Sequence, residues 1–155
     1  MAALERIKEA KDQASVKDFL AARNVLMLRI LLRNGHRTGA IQNMTCAEYE
    51  SGSFEDGDYV IRVQNHKNAH KFLCSVVLDK TLKEDLDAWF GGRCSFLKET
   101  IDNPHKSSSD ALFCGCNGAS MHSNELSRIT KLGVGGTPTQ MRQAQYHLVS
   151  IIIII

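Results

Sequence analysis

Three short stretches carry side chains that could hold a phosphate. The first is Arg33-Asn34-Gly35-His36-Arg37-Thr38-Gly39, a basic turn that directly follows the apolar run Val25-Leu26-Met27-Leu28-Arg29-Ile30-Leu31-Leu32. The second is Asn65-His66-Lys67-Asn68-Ala69-His70, set between two strand-like segments with Lys67 near the tip. The third is Thr137-Pro138-Thr139-Gln140-Met141-Arg142. A guanidinium offers a planar fork of donors and keeps its charge at any working pH, whereas a lysine is a compact donor that can also release a proton. In the third stretch, Thr137 suits an N-cap, Pro138 the first helical position and Gln140 a capping box. Thr139 and Arg142 then share one face of a first helical turn, where the helix end favours an anion. Acidic residues normally occupy such turns, so a cation at Arg142 points to an anionic ligand. His36 and His70 flank the basic positions and could add phosphate contacts, although lone histidines are more often structural or solvated. Taken alone, Arg37 reads as a surface arginine at a helix C-terminus, and Lys67 as a solvated hairpin-tip lysine.

The composition narrows the functional classes. With 155 residues the chain is long enough for one domain with a real core. A net charge of +2 excludes bulk-charge binding, so any nucleic-acid site must come from local clustering. The N-terminus is charged and lacks a signal-peptide pattern, and no apolar run is long enough to span a membrane. The five cysteines (Cys46, Cys74, Cys94, Cys114, Cys116) are odd in number and scattered, which fits reduced thiols in an intracellular protein. Cys114-Gly115-Cys116 has no second Cys or His pair at zinc spacing, so no metal is expected. Asn43-Met44-Thr45 matches a glycosylation sequon, which carries little weight without a secretory signal. There is no glycine-rich nucleotide loop and no Ser/His/Asp set, so no small-molecule cofactor is expected either.

The elements that must position these groups follow from periodicity. Residues 1–15 read as a linker or flanking segment with weak helical character. From Val16 to Leu32 the pattern predicts a central helix, apolar nearly all round and stopped by Asn34-Gly35. Residues 40–50 read as one or two short helical pieces with Ile41 and Met44 inward, and "ESGSFEDGD" reads as a loop. "YVIRVQ" and "KFLCSVVL" alternate like the two strands of a hairpin. Asp79–Phe90 predicts an amphipathic helix with a Thr81/Glu84 capping box, a face of Leu82, Leu86, Trp89 and Phe90, and a stop at Gly91-Gly92. "ALFCGCNGAS" reads as a short strand and turn. "SNELSRITKLG" reads as a helix with Leu126, Ile129 and Leu132 inward and Gly133 as the stop.

In this order the segments resemble the catalytic domain of the tyrosine recombinases, or phage integrases, in the manner of the recombinase-like proteins of Cryptons and tyrosine-recombinase retrotransposons. The resemblance covers residues 16–149. "NGHRTGAIQNMTCAEY" resembles the segment of the family's first catalytic arginine, matched by Arg37. "VQNHKNAHKFLCSVVL" resembles the hairpin of the catalytic lysine, matched by Lys67, with Lys71 as an alternative. "TPTQMRQ" resembles the His-x-x-Arg box, with Arg142 as the second arginine and Thr139 at the usual histidine position. "LFCGCNGASMHSNELSRITKLG" resembles the segment before that box.

The resemblance implies an α+β fold, mostly helical with a small antiparallel β-sheet, and double-stranded DNA as partner. It implies DNA recombination or integration without a metal or other cofactor, with a mobile-element origin and a nuclear location. His36, Arg37, Lys67 and Arg142 would contact DNA. In the family's reaction a tyrosine hydroxyl attacks a phosphodiester, charge grows on the non-bridging oxygens, and two arginines stabilise it while a lysine protonates the departing sugar oxygen. The chain departs from the pattern at Ala40, where the family often places an acidic residue, and at Thr139. Tyr49 and Tyr59 lie in the wrong segments, and Tyr146 falls one turn after Arg142, too early for the nucleophile. The chain closes on five isoleucines, Ile151–Ile155. The expectation is therefore a recombinase-like domain lacking its nucleophile segment, catalytically inactive in this form, with 150–155 as an aberrant tail. The alternative is a protein-interaction module without a DNA role, prone to self-association through uncovered apolar surface.

Overall fold

Ser15 opens the helix on which most of the fold leans. Its backbone is extended and its hydroxyl accepts the Asp18 N–H, an N-cap. The computed structural model describes residues 2–9, 15–35, 38–64, 74–101, 110–115, 117–122, 124–135, 137–140 and 143. In chain order the elements are α1 (Ala2–Glu9), α2 (Val16–Asn34), α3 (Thr38–Gln42), α4 (Cys46–Glu50), β1 (Ser53–Glu55), β2 (Asp58–Val63), β3 (Cys74–Leu78), α5 (Lys80–Ile101) and α6 (Glu125–Val134). The α+β expectation holds: the domain is mostly helical, with one three-stranded antiparallel sheet in the order β1-β2-β3.

Helix α2 packs against α1, α3, α5, α6 and β3. Phe19, Ala22, Arg23, Leu26, Met27, Ile30 and Leu31 form its buried stripe, at the spacing of a single broad helix face. Val16 and Leu32 are exposed, so the helix is not buried all round as its composition implied. Gly35 ends it in the left-handed region, at φ 62°, and its N–H returns to the Leu31 carbonyl. That is the stop expected at Asn34-Gly35.

The sheet corrects one expectation. Within "ESGSFEDGD", Ser53–Glu55 is a strand rather than loop, pairing with β2 through Ser53↔Val60, Phe54↔Tyr59 and Glu55↔Asp58. The two-residue turn is Asp56-Gly57, both at positive φ (51° and 91°). Asp-Gly at such a turn is a strong short-range hairpin signal, here lost in a segment that is polar throughout. The predicted hairpin is also present, with β2 and β3 in register from Tyr59↔Leu78 to Val63↔Cys74.

The segment expected as a linker contains α1, whose Leu4 and Ile7 are buried against the α2 and α5 side of the core. Its periodicity is weak because the helix has only eight residues, half of them charged. Helix α5 is capped two residues before the proposed Thr81: Asp79 Oδ1 accepts the Leu82 N–H at 2.8 Å. It then runs through Gly91-Gly92 instead of stopping. Gly92 lies buried below Ile7, and beyond it the Arg93 guanidinium donates to the Ala111 carbonyl at 2.9 Å. Tertiary contacts on both sides thus carry the helix past two residues of low helical propensity. Trp89 lies at the centre, stacked on Phe19 with ring centroids 4.8 Å apart and tilted against Phe113 at 5.3 Å. Its indole N–H donates to the Phe19 carbonyl. Lys8, Arg29 and Asp85 join α1, α2 and α5 by ion pairs.

Among the described residues, 110–115 and 117–120 form no strand, only the bridges Thr45↔Ala111 and Cys114↔Ser120, with Leu112 and Phe113 buried. In α6, Leu126 and Ile129 are buried as expected, but Leu132 is 78% exposed. The stop is Gly135, at φ 70°, not Gly133. Gly133 serves packing instead: a Cβ there would stand 2.7 Å from Leu28 Cδ1, so its absence lets α6 lie close on α2.

Replacing Trp89 with Ala is expected to destabilise the domain by about 3–5 kcal/mol in urea unfolding, because a large side chain leaves a cavity that helices on several sides cannot fill. Acid should also weaken the α1–α2 junction. Hydrogen bonds from Arg6 and Ser15 hold the Asp18 carboxyl at about 2, against an ordinary value of 3.8. Its contribution is complete above the ordinary value and is lost as pH falls through that value toward about 2. Asp18→Asn should therefore flatten the pH dependence of Tm in that window while lowering Tm at neutral pH.

Candidate phosphate-binding site

His36, Arg37, Lys67 and Arg142 lie outside the described residues, as do Lys71, His70 and Tyr146. Thr139 is described and exposed. The structure therefore defines the frame from which each basic residue departs, and that frame is built from specific side chains.

The first arm is the end of α2. The Asn34 amide nitrogen donates to the Ile30 carbonyl at 2.9 Å and the Val77 carbonyl at 3.0 Å, and its oxygen accepts the Val77 N–H at 2.7 Å. One amide thus bolts the helix end to the outer edge of β3, satisfying backbone groups that an edge strand otherwise leaves bare. Arg33 pairs with Asp58 at 2.9 Å and Asp79 at 3.0 Å. Of the two arginines in the basic turn, Arg33 is thus occupied by carboxylates from β2 and the start of α5. Helix α3 begins at Thr38, directly after Arg37, with Ala40, Ile41 and Gln42 buried. The Gln42 amide donates to the His122 carbonyl at 2.8 Å, tying this arm to the approach of α6.

The second arm is the β2–β3 hairpin. Past its last registered pair, the Gln64 N–H donates to Glu48 Oε1 at 2.8 Å. The other oxygen of Glu48 accepts the Thr45 N–H at 2.8 Å, while the Glu48 N–H donates to the Thr45 hydroxyl at 3.1 Å. Glu48 is thus the third residue of a capping box on α4 and, at the same time, an anchor for the base of the hairpin. Next to it, Cys46 N–H donates to the Asp110 carbonyl at 2.9 Å and Leu112 N–H to the Met44 carbonyl at 2.7 Å.

The third arm is α6 with residues 137–140. The expected capping box is present: Thr137 N–H donates to Gln140 Oε1 at 2.7 Å, and Gln140 N–H to Thr137 Oγ1 at 3.3 Å. Upstream, the buried Arg23 holds α6 to α2. Its guanidinium pairs with Glu125 at 2.7 Å, donates to the Cys114 carbonyl at 2.7 Å and is fixed in plane by the Asn24 carbonyl oxygen.

The two described tyrosines are structural. The Tyr49 hydroxyl donates to Asp87, and burial, then that bond, pushes its pKa well above the ordinary tyrosine value. The Tyr59 hydroxyl donates to the Tyr49 carbonyl at 2.6 Å, and burial with the charges of Asp87 and Glu50 raises its pKa too. Lys83 stands over both rings, 5.0 Å and 4.5 Å from their centroids. Among the described residues no group of His, Cys, Asp and Glu is arranged to hold a metal ion, and no helix is long and apolar enough to cross a membrane.

Sequence reasoning found the Thr137/Gln140 box and the Gly35 stop but missed Asn34, Glu48, Gln42 and Arg23 as organisers. Glu48 had a usable signal, since Thr45-Cys46-Ala47-Glu48 is a capping-box pattern. Arg23 had none, because an arginine within an apolar helix gives no sign of which carboxylate will meet it.

No protein-family model matches the chain, and no curated protein matches it. Among solved structures it is similar to XerH site-specific recombinase bound to palindromic difH substrate in a post-cleavage complex, with 20% identity and a TM-score of 0.54 over 90% of this chain and 37% of that one. It is likewise similar to XerH bound to difH substrate in a pre-cleavage complex, with 19% identity and a TM-score of 0.52 over 91% of this chain and 39% of that one. The chain thus spans well under half the length of the recombinases it matches. At that identity the likeness concerns the fold: a mostly helical domain with a small three-stranded antiparallel sheet, structurally similar to the catalytic domains of tyrosine recombinases.

Proposed function

We propose that this chain is a DNA-binding, recombinase-like domain in which Arg37 and Arg142 clamp a phosphodiester and Lys67 approaches it from the hairpin. The observation that carries this reading is the frame. The end of α2 at Gly35, Gln64 just past the end of β2 and the Thr137 capping box at Gln140 each stand two or three residues before one of the three basic residues in sequence, and Asn34, Gln42, Glu48 and Arg23 tie those arms into one fold. Two guanidinium groups would stabilise charge on non-bridging oxygens without depending on pH, and Lys67 would serve the departing oxygen. Thr139, at the position where the resemblance implies a histidine, can offer a hydroxyl to the same phosphate. The XerH structures hold DNA substrates, which supports DNA as the partner here. The process served is recombination or integration.

In this form the domain is proposed to bind without cleaving, because the Tyr49 and Tyr59 hydroxyls are committed to Asp87 and to the Tyr49 carbonyl, and Tyr146 follows Arg142 too closely in sequence to be the nucleophile that the resemblance implies. A second reading, a protein-interaction module that self-associates, is favoured by one specific observation. Leu132 is 78% exposed and Leu32 45%, on the two helices that meet tightly at Gly133 and Leu28.

Duplex binding over a salt series tests the first reading. The wild-type chain should bind with a salt-dependent affinity, and Arg37→Ala plus Arg142→Ala should weaken it and make the log–log salt slope shallower by about two, one per lost phosphate contact. No binding by the folded chain at low salt would reject the DNA reading, and concentration-dependent sedimentation abolished by Leu132→Glu would then favour the interaction module. With a nicked substrate, no covalent protein–DNA adduct should survive denaturation. An adduct removed by a single Tyr→Phe change would overturn the inactive assignment.

A further inference from the structure

Glu48 divides its carboxylate between two tasks, and the second is unrelated to helix capping. A capping box needs one oxygen, and Oε2 supplies it to the Thr45 N–H. Oε1 instead takes the N–H of Gln64, sixteen residues further along the chain. The sheet explains why that N–H needs a partner. Val77 turns its N–H and carbonyl away from β2, toward Asn34. Its registered partner Val60 must therefore turn its own groups away from β3, and so, by alternation, must Arg62 and Gln64. On that side β1 covers β2 only as far as the Ser53↔Val60 pair. Gln64 lies beyond the end of β1, and the Glu48 carboxylate stands in for the missing strand.

We infer that Glu48 is a positioning residue: it fixes Gln64, just past the end of β2 from which the chain runs on to Lys67, relative to the α3–α4 segment that follows Arg37. The inference rests on the phosphate-clamp reading given above. Its mechanical chain is short. Helix α3 starts at the residue after Arg37, Thr45 caps α4 three residues after α3 ends, and Glu48 joins that cap to Gln64, the residue that follows β2. The bond is charge-assisted and links elements that the β-ladder alone does not join.

The test uses Glu48→Asp and Glu48→Gln in the full chain. Aspartate can still serve at the third position of a capping box but is one methylene shorter, so it should hold the Thr45 amide and release the Gln64 amide. Hydrogen exchange is expected to accelerate at Gln64 and not at Thr45 in Glu48→Asp, and at only one of the two in Glu48→Gln, whose single carbonyl oxygen can still accept one amide. In duplex binding, Glu48→Asp should reproduce the effect of Lys67→Ala, a salt slope shallower by about one. The double variant should bind no more weakly than either single one, as expected for residues acting through one contact. Unchanged exchange at Gln64, or a purely additive loss in the double variant, would overturn the inference. If the wild-type chain binds no DNA, the phosphate-clamp reading fails by itself. The positioning role is then judged by the amide resonances of residues 65–73 in Glu48→Asp: displacement supports the link, and unchanged shifts overturn it.

Discussion

A guanidinium in the middle of a helix interface has to find partners for its nitrogens or it destabilises the fold, and each of the three nitrogens of Arg23 has one. It sits in the buried stripe of α2, with its side chain 4% exposed, and its donors are taken up by Glu125, the Cys114 carbonyl and Asn24. Removing one partner of a buried pair typically costs several kcal/mol, because the remaining charge has no water to turn to. The requirement is also directional. The planar donor fork accepts partners only in fixed places, so α6 and the segment through Cys114 have one arrangement against α2. The close approach at Gly133 and Leu28 is compatible with that arrangement and tightens it.

The same economy governs the sheet edges. A three-stranded sheet has two edges, and bare edges invite pairing with other chains. The β3 edge is closed at Val77 by the Asn34 side chain, and the stretch of β2 that β1 does not reach is closed at Gln64 by Glu48. The first closure comes from α2, which leads into the basic turn, and the second from α4, which follows α3. The Tyr49–Asp87–Lys83 cluster completes the hairpin's seat, packing α4 and β2 on α5 through aromatic contacts and a cation held over two rings.

Much of the local structure was legible from residue chemistry. The Gly35 stop, the Thr137/Gln140 box, the hairpin strands and the inward faces of α5 and α6 at Leu82, Leu86, Trp89, Leu126 and Ile129 all follow from patterns a few residues long. The misses share a cause. Gly91-Gly92 failed to end α5, and Leu132 failed to face inward, because packing decides such positions and no window of sequence contains the packing partner. Asp56-Gly57 was misread for a different reason: its turn signal sat among polar residues that resemble any surface loop.

For the candidate site the division is sharper. The sequence by itself determined which residues could grip a phosphate and in what order they come, since charge, donor geometry and helix-end chemistry belong to the residues themselves. It also determined the local frames next to Arg37 and Arg142, because a left-handed glycine and a capping box are made within a single turn. Only the tertiary structure decided that Arg33 is neutralised by Asp58 and Asp79, that Glu48 reaches Gln64, and that Tyr49 and Tyr59 have no free hydroxyl to offer. Each of those outcomes depends on a partner ten or more residues away along the chain, and side-chain identity carries no information about which partner that is until the chain has folded.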